Sequence, residues 1–118
     1  DLVMIAAPNT PGQTLTRLAR LGSGYTYCVA RAGVTGERQK LTLEHDQLLS
    51  TLRSVGAPPP VLGFGISTPE HVRQALNAGA AGVISGSAIV RLAVEKGADA
   101  VRDFVREMKA ATRWALSA

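Results

Sequence analysis

A parallel α/β fold is what this sequence predicts, and two observations carry the prediction. Short strand-like runs recur four times, and the first, Leu2–Ala6, is continuously apolar, as expected of a strand buried on both faces. Each is followed by a stretch with helical apolar spacing, and that alternation marks strands joined by crossover helices. The length, 118 residues, provides for one modest core.

The first strand is Leu2–Ala6. Pro8 to Gly12 breaks the chain. Thr10 is placed to cap a helix with Pro11 at its first position, and Leu15, Leu18 and Ala19 form the apolar stripe before Gly22. Tyr25–Ala30 is the second strand, with Tyr25, Tyr27 and Val29 on alternate positions. The loop Arg31–Lys40 is long for a strand-to-helix connection. Leu41, Leu48, Leu52 and Val55 then mark a helix that ends at Gly56 and Pro58-Pro59-Pro60. Val61–Phe64 is the third strand. Ser67-Thr68-Pro69-Glu70 reads as a capping box with Ser67 as the cap, ahead of a helix that turns Val72, Ala75 and Leu76 inward and closes at Gly79. Gly82–Ser85 is the fourth strand, and Gly86-Ser87 opens a short helix to about Glu95. A last helix runs from Ala98 to Trp114 with Val101, Phe104, Val105 and Met108 as its stripe.

Composition narrows the function. An apolar share of 46% with 19% charged residues is that of a globular domain. No uninterrupted apolar run reaches the ~18 residues of a membrane span. The net charge of +4 comes without a Lys/Arg cluster, which disfavours nucleic acid. Cys28 cannot pair internally and lies in an apolar run, so a buried reduced thiol in a cytoplasmic protein is expected. The chain opens at Asp1 on a strand-like run with no charged leader, as if inside a domain.

Ligands of parallel β/α sheets bind beyond the carboxyl ends of the strands. The third strand ends in Gly63-Phe64-Gly65 and the fourth in Gly86-Ser87, where a helix begins. Glycines admit an anion close to backbone N–H groups, and a helix N-terminus adds unpaired donors. Either these glycines make only tight turns or they build a phosphate site; two adjacent strand ends of this kind favour the phosphate site. Tyr27 and the Gly33-Val34-Thr35-Gly36 loop follow the same face. That loop fits a closing lid and a merely solvated segment equally well. Phe64 is core or the wall for a flat substrate. Trp114 caps the core or meets a partner. His45 and His71 fall on helices as surface residues, without metal spacing. Arg102, Arg106, Lys109 and Arg113 form a solvated face. No Asp, Glu, His or Lys stands at a strand end, so a phosphate binder without its general acid and base is expected.

These motifs bring a family into view. Tyr25-Thr26-Tyr27, Arg31-Ala32-Gly33-Val34-Thr35-Gly36, Gly63-Phe64-Gly65-Ile66-Ser67-Thr68-Pro69-Glu70 and Gly82-Val83-Ile84-Ser85-Gly86-Ser87-Ala88-Ile89-Val90 together resemble the tryptophan synthase alpha subunit family over essentially the whole chain. Ala30 departs from it, since the family often has Ser there. The resemblance implies a TIM (β/α)8 barrel that cleaves indole-3-glycerol phosphate to indole and glyceraldehyde 3-phosphate. It implies a beta-subunit partner that carries pyridoxal phosphate, and no cofactor or metal in the alpha subunit. Gly36, Gly65, Gly86 and Ser87 match the family's phosphate contacts. Tyr27, Thr35 and Phe64 match its substrate pocket. The family's two catalytic carboxylates lie on earlier strands, so residues 1–118 look like one partial barrel domain, strands 5 to 8 of a fold of ~250 residues. An isolated half-barrel has open sheet edges, and it is expected to self-associate or to be marginally stable. The other readings are a non-catalytic phosphate-binding module closed as a homodimer and a sugar-phosphate isomerase. The Gly-Val-Thr-Gly loop beside the tyrosines speaks against the isomerase.

Overall fold

The computed structural model describes residues 1–29, 38–63 and 65–117, without the side chains of 38–44 and 114–117. The elements run β1 (Met4–Ala6), α1 (Gly12–Leu21), β2 (Thr26–Val29), α2 (Arg38–Ser54), β3 (Pro60–Gly63), α3 (Pro69–Asn77), β4 (Gly82–Val83), α4 (Ser87–Lys96) and α5 (Ala98–Ser117). The four strands form one parallel sheet in the order β1-β2-β3-β4. Chain order and sheet order coincide, as repeated β/α units require.

The sheet has two unlike faces, and its register defines them. Ala6, Cys28, Leu62 and Val83 are partners in one row across the sheet. All four pack into the core beneath the helices, against Leu15 of α1, Leu48, Leu49 and Leu52 of α2, and Ala75 of α3. A second apolar cluster joins Ile66 and Val72 to Met108 and Ala111 of α5. The neighbouring row is Ile5, Tyr27, Val61 and Gly82. Strand pleating turns it to the opposite face. No helix covers that face among the described residues, and Ile5 there is 64% exposed.

Several element ends differ from the sequence reading for local reasons. Thr10 does not cap α1. Its hydroxyl accepts from the Ala7 N–H at 2.9 Å and closes a turn, which leaves Pro11 at the helix start without a side-chain cap. Thr68, not Ser67, caps α3 by accepting from the His71 N–H at 3.1 Å. Glu70 therefore stands too early in the helix to complete the box and pairs with Arg73 at 3.0 Å instead. The helix α2 begins at Arg38, inside the stretch expected as loop. On α5 the inward face is Phe104, Met108 and Ala111, whereas Val105 is 47% exposed. The fourth strand is shorter than Gly82–Ser85 because it bulges. Ala81 and Ile84 donate to the carbonyls of Pro60 and Leu62, so three steps of one strand span two of the other. Among the described residues no helix is long and apolar enough to cross a membrane.

Candidate functional site

The pocket at the carboxyl ends of the strands begins with Tyr27. Its ring lies across Gly63, where any added Cβ would collide with the phenol. Gly63 therefore serves the tyrosine rather than a ligand. Two residues on, Gly65 turns the chain with φ +73°, a left-handed conformation that favours glycine. The tight-turn reading holds at this position.

Gly86 behaves differently. Its φ of −126° suits any residue, and an added Cβ would meet no atom within 4 Å. Neither packing nor a left-handed turn explains a glycine here; its lack of a side chain keeps open the space in front of α4. The first helical bond of α4 is Val90 N–H to the Gly86 carbonyl at 3.0 Å. The amides of Ser87, Ala88 and Ile89 thus have no helical acceptor, and no side chain caps them. The positive end of the helix dipole faces the same space.

A hydrogen bond joins the two strand ends. The Ser85 hydroxyl donates to the Ile66 carbonyl at 2.7 Å in a half-buried position. The neighbouring residues Gly65 and Ser67, from the first loop, and Gly86 and Ser87, from the second, then border one cavity of about 400 Å³ together with Tyr27. Arg91 completes the wall and is its one charged lining residue among those described. It lies four residues after Ser87, on the same face of α4.

Of the residues expected at a site, Tyr27, Gly65, Gly86 and Ser87 are brought together here. Gly36, Thr35 and Phe64 lie outside the described residues. The sequence reading missed Arg91 and Ser85; both histidines fall on helices as expected, α2 and α3, but are half-buried rather than fully at the surface. The His71 Nδ1 accepts from the N–H of Ser67, a residue that lines the cavity, at 3.1 Å. His45 is half-buried within α2. A second, larger cavity of about 570 Å³ lies elsewhere, along the open edge of β4 and against Phe104 and Met108 of α5, and it is mostly apolar. The chemistry of the smaller cavity is that of an anion site: backbone donors, the hydroxyl-bearing residues Tyr27, Ser67 and Ser87, and Arg91, with no carboxylate or imidazole among its described lining residues.

A family model for the tryptophan synthase alpha chain matches residues 1–116. The chain belongs to the tryptophan synthase alpha chain family. The tryptophan synthase alpha chain of Aeromonas salmonicida is 51% identical over 95% of this chain, and that of Francisella tularensis is 47% identical over 93%. This chain spans 44% and 43% of those two proteins. A solved tryptophan synthase α2β2 complex from Pyrococcus furiosus superposes with a TM-score of 0.71 at 34% identity, over 91% of this chain and 43% of that one. A tryptophan synthase structure from M. tuberculosis, 22% identical, shares the fold with a TM-score of 0.78 over 94% of this chain and 40% of its own. The tryptophan synthase alpha chains among these structures are (β/α)8 barrels, so the four parallel β/α units are part of such a barrel, as the sequence predicts.

Proposed function

We propose that this chain supplies the phosphate-binding half, strands 5 to 8, of a tryptophan synthase alpha chain. The whole protein would then be a cytoplasmic lyase that cleaves indole-3-glycerol phosphate to indole and glyceraldehyde 3-phosphate in tryptophan biosynthesis. The observation that carries this reading is the open space at Gly86, in front of the uncapped amides of α4. Gly65, Gly86 and Ser87 hold the phosphate together with Gly36, while Tyr27, Thr35 and Phe64 border the rest of the substrate. The alpha chain needs no cofactor or metal of its own, and a beta subunit with pyridoxal phosphate receives the indole. The described pocket brings no carboxylate to the ligand. The chain by itself therefore binds the phosphate end and does not cleave.

A titration with glycerol 3-phosphate, followed at the glycine amides, tests this. Saturable shifts at Gly65 and Gly86 are expected. Gly86→Ala should weaken binding at least tenfold while lowering stability by no more than about 1 kcal/mol, the cost of alanine for glycine at a helix cap. Equal binding by Gly86→Ala, or indole released from indole-3-glycerol phosphate by the purified chain, would overturn the reading. One observation favours a second reading, a self-associating and non-catalytic module: the row Ile5, Tyr27, Val61 and Gly82 lies on a face that no helix covers among the described residues.

A further inference from the structure

We propose that Arg91 is the charge-matching residue of this pocket and sets its preference for a doubly charged phosphate monoester over singly charged anions. The inference rests on the phosphate reading above and assigns a role to a side chain that reading leaves unused.

Three observations support it. Arg91 is the one charged residue among the described lining of the cavity, so the donors of Gly86 and Ser87 share their space with a cation and with no acid. The first turn of α4 carries no acidic residue to neutralise it. Glu95 stands four residues further along α4, the usual spacing for a helical ion pair. Even so, Arg91 makes no ion pair among the described residues; it is exposed and lines the cavity. Backbone amides supply directional donors to any small oxyanion, whereas a guanidinium adds a full charge and a forked pair of N–H groups suited to phosphate oxygens. The amides thus make the pocket accept an anion, and Arg91 makes it discriminate by charge.

The test compares the 118-residue chain with its variants Arg91→Gln, Arg91→Lys and Arg106→Gln, titrated with glycerol 3-phosphate and with the singly charged glycerate. Arg106 is exposed on α5 and controls for overall charge. Arg91→Gln should weaken glycerol 3-phosphate about tenfold, change glycerate far less, and flatten the salt dependence of binding. Arg91→Lys should restore most of the affinity, and Arg106→Gln should match the unaltered chain. Unchanged binding by Arg91→Gln, with the shifts at Gly65 and Gly86 intact, overturns the role of Arg91 and leaves the phosphate site standing. Equal losses in Arg91→Gln and Arg106→Gln also overturn it, as an effect of net charge. Absence of any shift in the unaltered chain defeats the phosphate reading itself, and the role of Arg91 with it.

Discussion

Cys28 sits at the centre of the buried row with no exposed surface, and burial pushes its thiol up to about 11. A donor at the Val61 backbone opposes this only in part. The thiolate is the reactive form, so a thiol reagent at pH 8 should label the chain only as fast as it unfolds. The same burial shapes stability at alkaline pH. Below about pH 9 the thiol is protonated in both states and contributes no slope. Between about 9 and 11 the unfolded chain releases the proton that the folded chain keeps, so stability falls, by an amount on the order of 2–3 kcal/mol. Alkaline unfolding curves of Cys28→Ala should lack that slope. The buried thiol was legible in the sequence, because its apolar neighbours announce it. The difference between Gly65 and Gly86 was not, since one is required by its φ and the other only by the space around it. Arg91 was equally invisible. Its meaning depends on where α4 starts and therefore on which side chains share a face with Ser87.

Among the elements, order and type were legible throughout, and the ends were not. Hydrogen bonds made across the fold decide the ends. Thr68 rather than Ser67 caps α3, and this has a measurable consequence. Thr68→Ala should cost about 1 kcal/mol in urea unfolding, whereas Ser67→Ala should cost clearly less. Equal costs would restore the capping box the sequence suggests. On α5 the apolar spacing offers both Phe104 and Val105 for the inward face, and the neighbours decide between them. The helix turns Met108 and Ala111 onto Val72 and Ile66, which leaves Val105 at the surface. The bulge in β4 had no signal beyond Gly82. Beyond that bulge lie Ile84, which lines the pocket, and Ser85, whose hydroxyl reaches the Ile66 carbonyl.

At the scale of the whole molecule, helices cover one face of the sheet, and among the described residues none covers the other. Parallel sheets are almost always covered on both faces, and β1 and β4 each present an unpaired edge among the described residues. The purified chain should therefore show a mass in sedimentation equilibrium that rises with concentration, and Ile5→Lys should lower it. A single monomeric mass across the concentration range would contradict this. Because all four strands point the same way, the geometry of such an assembly is restricted. A two-fold axis along the strands lays β4 of one copy beside β1 of the other with their directions preserved, and does so twice. An axis across the strands reverses the direction at the seam and abolishes the alignment. Only the first arrangement gathers all strand ends, and with them both pockets, at one mouth.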